Sequence, residues 1–295
     1  MLSPIKRRLK KYVSSVYDPQ LSLQVGKYTI KAPLSHPLRD ILPKYPDYNF
    51  NLGRILGYLE ETEKEVSLID IGANIGDTIA FVRNHSDAPI LCIDGSEEYF
   101  PLLLSNSALF SGVQTCKAIV GAETGPNNIK VSAKKNTGSV TTGSSSIPVR
   151  TLENILEEFS QFKNARVLKS DTDGYDTIIL RSCEGYLKAR NPVLFFEYDP
   201  FYIRNSKDNP SEFLQYLVSC NYRYFIVYTN VGDLLIGLDI QKDTSLLDQL
   251  TQYFTGREGQ LFADICAYSE KDSAQFELAL RREQDHFASA RRFDS

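Results

Sequence analysis

From residue 66 onward the chain alternates short apolar, β-rich runs with segments of helical period, and this alternation limits the fold more than any other feature. "VSLIDIG", "PILCIDG", "VQTCKAIVG", "ARVLKSD" and "VLFFEYD" have strand length, and helical patterns begin near 77, 97, 151 and 176. Strands that alternate with helices are joined by right-handed crossovers, which makes them parallel and covers both faces of the sheet. Two later runs, "YRYFIVYT" and "LLIGLD", are separated only by "NVGD". Such a link is too short for a crossover helix, so these strands pair antiparallel. The predicted fold is α/β: a doubly wound, Rossmann-like sheet, mostly parallel, with a C-terminal antiparallel hairpin.

The two ends read differently. "LSLQVGKYTIKAP" alternates around Gly26 as a hairpin, and Pro33 and Pro37 break the regular pattern after it. Before it, Lys6, Arg7, Arg8, Lys10 and Lys11 precede any acid, and Leu2, Ile5, Leu9, Val13 and Val16 recur at spacings of three and four. That pattern is a basic amphipathic helix. Its first reading is a terminal helix packed on its own domain, and its second is contact with an anionic membrane face or a partner. The organisation expected is an extension over 1–50, a main domain over 51–270 and a helical tail over 271–295. The ending "RREQDHFASARRFDS" reads as a fraying helix with solvated charge. "AKKNTGSVTTGSSSIP" has no apolar period and is either a mobile lid or a long surface hairpin.

Composition removes several function classes. The formal charge of −4 argues against general nucleic-acid binding, which calls for a strongly basic domain. The five cysteines form no close pair, so neither a zinc site nor a disulfide framework is signalled. No apolar run reaches ~18 residues and no secretory signal core is present. A cytoplasmic protein is expected, with the inner face of the membrane as its location only under the second reading of the basic N-terminal helix.

In a doubly wound sheet, ligands bind at the carboxyl ends of the strands, near the switch in strand order. The stretch "LIDIGANIGDTIA" spends Gly72, Ala73, Asn74 and Gly76 on the turn after its strand. Glycine permits positive φ and close approach of a ligand to the backbone. A helix starting there also presents free N–H groups to an anionic group. Asp94, at the end of "CIDG", stands about 20 residues beyond the turn, where an acid accepts ribose hydroxyls. These features specify a nucleoside-containing cofactor. A dinucleotide fingerprint needs G-x-G-x-x-G, and Asn74 occupies the middle glycine position. Asp70 suits a cofactor with a cationic or amino end, and S-adenosylmethionine has both.

"LIDIGANIGDTI", "CIDGSEEYF", "KAIVGAETG", "VRTLENIL", "KSDTDGYDTIILRSCEGYL" and "LFFEYDP" occur in the order and spacing of the FkbM-family methyltransferases, and the chain resembles that family over roughly residues 35 to 270. The resemblance implies the class I methyltransferase fold. It also implies S-adenosylmethionine as cofactor and O-methylation of a hydroxyl, mostly of a sugar in a surface polysaccharide or glycoconjugate. Carried over by residue, it makes Asp70, Gly72, Asn74 and Gly76 the methionine-end loop. Asp94, with Gly95 beside it, becomes the ribose acid, and Ala118 and Ile119 lie near the adenine. Where the family reads Glu twice around the fourth strand, this chain has Asp173 and Asp176.

Asp171, at the carboxyl end of the fourth strand, is the expected base, with Lys169 orienting it or the acceptor and Asp173 beside it. A second arrangement has Asp171 and Glu197 jointly holding a divalent cation such as Mg²⁺. His85 and His286 read as surface residues, and His36 as a solvated loop histidine before an acceptor-binding one. Tyr48 and Asn49 are placed to help close the cofactor site. Two other readings stay open: a nicotinamide-dependent oxidoreductase, and a catalytically silent scaffold that keeps the fold.

Overall fold

The computed structural model describes residues 16–124, 129–134, 137–142, 147–242, 245–256 and 261–290. The basic helix expected over residues 1 to 17 lies outside this set apart from its last two positions. β1 (Gln20–Val25) and β2 (Tyr28–Pro33) form the predicted hairpin around Gly26. α1 (Leu38–Ile41) and α2 (Phe50–Glu60) then lead into β3 (Leu68–Ile71), α3 (Asp77–Arg83), β4 (Ile90–Asp94), α4 (Phe100–Ser107) and β5 (Val113–Lys117). The run predicted as one strand over 113–121 breaks at Ala118. Its end, β6 (Ile119–Val120), turns away from β4 to pair with a later segment.

β7 (Ile129–Lys134) and β8 (Thr137–Thr142) pair antiparallel, so residues 133–134 and 137–142 of the polar stretch belong to a hairpin, while 135–136 and 143–146 lie outside the described residues. β9 (Val149–Arg150) is the partner of β6, and Thr151 caps α5 (Leu152–Glu158) by accepting from the Asn154 N–H at 3.1 Å. β10 (Val167–Ser170) comes next. The single helix predicted over 176–189 is two, α6 (Asp176–Ser182) and α7 (Glu184–Arg190), broken at the fully buried Cys183. That break keeps Cys183, Tyr186 and Leu187 in the same apolar cluster as Ile179 and Leu180. β11 (Val193–Tyr198), α8 (Pro200–Asn205), α9 (Pro210–Ser219), β12 (Tyr222–Thr229), β13 (Leu234–Asp239), α10 (Ser245–Thr255), β14 (Ala263–Ser269) and α11 (Ser273–Ala290) complete the order.

The central sheet runs β13-β12-β14-β11-β10-β3-β4-β5. β5, β4, β3, β10 and β11 are parallel, and the strand order switches between β3 and β10. β12 and β13 are the expected antiparallel hairpin. β14, which the sequence reading did not assign, inserts antiparallel between β11 and β12. Its run "ADICAYS" is apolar but short, and the chain reaches it only after the hairpin and α10. The result is the doubly wound, mostly parallel sheet that the alternation predicted.

Alternation along the strands fills both faces. Ile69, Ile71, Leu168 and Phe196 pack with α5, α6, α7, α9 and α10, while Leu68, Cys92, Phe195 and Ile226 pack under α2, α3 and α11. The N-terminal hairpin sits on α3 and α4, with Asn106 bonding both the N–H and the C=O of Lys31 at 2.8 Å. All five cysteines are buried free thiols. His85 is exposed, whereas His36 is buried with its ring edge-on to Tyr99, not solvated as expected. Its ring packs against Tyr99, the residue just before α4.

The C-terminal segment also departs from expectation. α11 lies against α2 and the sheet, and Glu283 within it is fully buried. Arg54 meets it with a two-pronged ion pair, Nε to Oε1 at 2.7 Å and Nη2 to Oε2 at 2.8 Å, and Tyr58 Oη donates to Oε1 at 2.9 Å. His286 is half-buried against Asp47 at 2.8 Å. An acid that reads as solvated in sequence is here the anchor of a helix. Removing one partner of a buried pair leaves the other charge uncompensated, so Glu283→Ala should cost about 3 to 5 kcal/mol in a urea unfolding curve.

Candidate active site

The carboxyl ends of β3, β4 and β5 and the segment after β10 surround a cleft of about 420 Å³. That volume lies in the roughly 300 to 1,000 Å³ range of small-molecule sites. Its floor needs two residues without side chains. Gly72 has φ +81, and a Cβ there would overlap the Asp171 carbonyl oxygen, because β3 and β10 approach closely enough for Asp171 N–H to reach Ile71 O at 3.1 Å. A Cβ on Gly95 would overlap Ile119.

Asp94 is nearly buried and faces this space. Its Oδ2 accepts from Asn74 N–H at 2.8 Å and its Oδ1 from Ser96 N–H at 2.7 Å. Two backbone donors thus fix the plane of the carboxylate and tie the first turn to the second strand. Burial pushes the Asp94 carboxyl up to about 6, against the opposite pull of those two bonds.

Of the residues singled out from sequence, Gly72, Asn74, Asp94, Gly95, Ala118, Ile119, Asp171 and Asp173 all line the cleft. Gly76 does not. At φ +82 it precedes α3 and packs against Leu103, so it shapes the turn and has no place in the wall. Asp70 and Lys169 also lie elsewhere: they are cross-strand neighbours on the face beneath α2 and α3. Lys169 Nζ is 3.0 Å from Asp70 Oδ1 and 3.3 Å from Asp171 Oδ2. Burial opposes its charge, but Asp171 and Asp70 outweigh burial and hold the ammonium above the ordinary lysine range. Asp70 therefore meets Lys169, not the cleft.

Asp173 sits at the cleft with φ +52. Asp176 turns away from it and accepts from Ser170 Oγ at 2.7 Å, Thr172 Oγ1 at 2.9 Å and Gly174 N–H at 3.3 Å. Its shorter side chain is thus fully used in holding the loop that carries Asp171 and Asp173.

Behind Asp171 lies a second, much smaller space of about 10 Å³, lined by Asn49, Asn51, Lys169, Asp171, Glu197 and Asp264 among others. Glu197 and Asp264 face each other across β11 and β14. Burial, then the charge of Asp171, raises the Glu197 carboxyl well above its usual range and pushes Asp264 up to about 8. Tyr48 stands near this group, its phenol raised first by burial and then by the surrounding acids. Asn49 therefore lines this chamber and not the larger cleft, and Tyr48 is in the lining of neither. Glu197 and Asp171, the expected cation pair, both line it. Among the described residues, however, no group of three His, Cys, Asp or Glu is arranged to hold a metal ion, and Lys169 holds the position beside Asp171.

Sequence reasoning missed Ser96, Tyr99, Tyr175 and Ile178 in the cleft, and Asn51 and Asp264 in the chamber. Tyr99 lies little more than one helical turn beyond Asp94, a spacing that was readable. Asp264 required β14.

A family model described as "Methyltransferase FkbM domain" matches residues 70–224, just over half of the chain. The chain belongs to the FkbM methyltransferase family. The sheet and its inserted antiparallel β14 are the class I methyltransferase fold.

Solved structures similar to this FkbM chain include the FkbM methyltransferase of Methylobacillus flagellatus KT, at 16% identity and a TM-score of 0.37 over 54% of this chain and 39% of that one. A SAM-dependent methyltransferase from Agrobacterium tumefaciens matches at 8% identity and 0.45 over 85% and 70% of the two chains. A precorrin-6y C5,15-methyltransferase from Geobacter metallireducens GS-15 matches at 10% and 0.38 over 73% and 85%. The FkbM chain thus spans well under half the length of the Methylobacillus protein. No curated protein matches it.

The site of this FkbM chain carries a measurable pH signature. Burial raises Asp94 and Asp176 to about 6, Asp77 to about 7 and Asp264 to about 8, from a usual value of 3.8. Acids raised in this way bind more protons folded than unfolded, so stability falls as pH rises through these values and is regained as it drops. The melting temperature should therefore be higher at about pH 6 than at about pH 8.5. An Asp264→Asn variant should flatten part of that difference.

Proposed function

We propose that this protein is an S-adenosylmethionine-dependent O-methyltransferase acting on a hydroxyl, of a sugar in a surface polysaccharide or glycoconjugate. Family membership supports methyl transfer, and the geometry of Asp94 carries the cofactor reading. A carboxylate pinned by two backbone N–H groups at the end of the second strand still has lone pairs free toward the cleft. Ribose hydroxyls are donors of the right kind for it. The cradle fits the rest of a nucleoside: Gly72 and Gly95 leave no Cβ in the floor, and Ala118 and Ile119 offer an apolar wall.

When bound, the cofactor supplies an electrophilic methyl group on a sulfonium. The chain's own part is to position the acceptor and take its proton. Positioning is worth on the order of 7 to 11 kcal/mol of barrier in well-oriented systems. The proton falls to Asp171, whose side chain is 42% exposed at the boundary of cleft and chamber. Lys169 holds its Oδ2, which leaves Oδ1 to accept the hydroxyl proton. Asp173, on the same loop, lies at the cleft beside it.

The same reading puts the protein in the cytoplasm. Among the described residues, no helix is long and apolar enough to cross a membrane.

Calorimetric titration with S-adenosylhomocysteine tests the cofactor half. Asp94→Ala should weaken binding by roughly 10- to 100-fold through lost bonds to a charged acceptor. For the unaltered protein, affinity should fall as pH drops through about 6, because a protonated Asp94 no longer accepts both hydroxyls. No binding to the intact protein removes this reading. Asp171→Asn should keep cofactor affinity and lower methyl transfer to glycan acceptors by roughly 10² to 10⁴. Cofactor binding with no transfer to any glycan, with or without Mg²⁺, would favour the silent scaffold.

A further inference from the structure

The small chamber behind Asp171 contains an unmet hydrogen bond. Asn51, in the first turn of α2, is fully buried and lines it. Its Oδ1 accepts from Leu52 N–H at 3.0 Å, which assigns the amide orientation. Its Nδ2 is buried with no hydrogen-bond partner among the described residues. A buried donor favours a ligand group that accepts from it, because no other partner competes for it among the described residues. Across the chamber stand acceptors, the carboxyl groups of Glu197 and Asp264. The space of about 10 Å³ is close to the minimum that holds one water-sized group.

A group that fits must be small, must accept from Asn51 and must donate to the carbonyl oxygen of a carboxyl group that burial keeps largely protonated at neutral pH. A bare cation fails against the Asn51 and Lys169 donors, and an ammonium has no lone pair for Asn51. A hydroxyl does both. Asp171 forms a wall of both spaces, so a hydroxyl in the chamber stands next to the position where a second one would be deprotonated.

We propose that this chamber is the anchoring subsite of the acceptor: it takes one hydroxyl of a polyhydroxylated compound, held by Asn51 Nδ2 and by Glu197 or Asp264, while a neighbouring hydroxyl meets Asp171. This rests on the reading that the acceptor is a hydroxyl compound, and it adds that the acceptor carries an adjacent pair of them. Asn51 is then a specificity residue and not a source of stability in the free protein.

The test uses the full chain, Asn51→Leu and Asn51→Ala, each with S-adenosylhomocysteine bound. The probes are methyl glycosides of glucose, mannose and galactose at millimolar concentration, with their monodeoxy forms. Melting temperature is read, together with methyl transfer from labelled S-adenosylmethionine. At least one glycoside should raise the melting temperature of the unaltered protein. One of its deoxy forms should not, and both variants should lose the response while binding S-adenosylhomocysteine as before. The loss corresponds to at least about tenfold in glycoside affinity.

No response from any glycoside overturns the proposal, as does an undiminished response in both variants. Methyl transfer that is indifferent to Asn51 and to the deoxy position overturns the subsite and leaves the O-methyltransferase reading standing. A response that depends on Asn51 without any transfer leaves the subsite standing and removes that reading.

Discussion

At the point where the strand order switches, the apolar face shared by β3, β10 and β11 is interrupted by one cation, Lys169, set between two carboxylates. Asp70 is wholly enclosed among Leu68, Cys92 and other apolar neighbours, where an isolated carboxylate would be strongly disfavoured. Lys169 makes it tolerable there, and the ammonium then has charge left for Asp171. The pair fixes β3 against β10 in one register. It also aims Asp171 along the seam between the cleft and the chamber. Gly72 is required by the same closeness, because a Cβ at that position meets the backbone of Asp171.

The chamber depends on a second set of contacts, made by segments far apart in sequence. Asn49 adopts φ +58 just before α2, which turns Tyr48 and Asn49 back over the strand ends. Asp47, next to them, is pressed by the β12–β13 turn, where Gly232 at φ +89 leaves no room for a Cβ beside the Asp47 carbonyl. From the other side His286 bonds Asp47, and Glu283 holds Arg54 one turn beyond Asn51. The C-terminal helix thus fixes the entrance helix, and the entrance helix presents Asn51.

The cleft was legible in sequence because it is built locally. A strand, a small-residue turn and a helix occupy consecutive residues, so Gly72, Asn74 and Asp94 could be read from order and spacing alone. The chamber was not, because its residues come together only through tertiary packing. Asp264 reaches Glu197 by the insertion of β14, and Glu283 becomes buried only because Arg54 lies opposite. A charged residue on an amphipathic helix reads as solvated until its partner is known. Asp70 misled for a related reason. Its place before the first glycine suggested a ligand contact, yet alternation along β3 sends its side chain to the opposite face from Ile71, toward Lys169.

The two spaces draw differently on the chain, although strand-end residues such as Lys169, Asp171 and Glu197 of the chamber lie inside the matched stretch. The cleft residues, from Ile71 to Ile179, lie inside the stretch 70–224 matched by the family model. Asn49, Asn51 and Asp264 of the chamber lie outside it. On the proposed function a cofactor and an acceptor make different demands on the chain, and the chamber draws on elements that the cleft does not use. Here those elements are the entrance helix and the last strand of the sheet. Asp171 belongs to the matched stretch and lines both spaces, so in the proposed reaction the group that takes the proton stands where the two spaces meet.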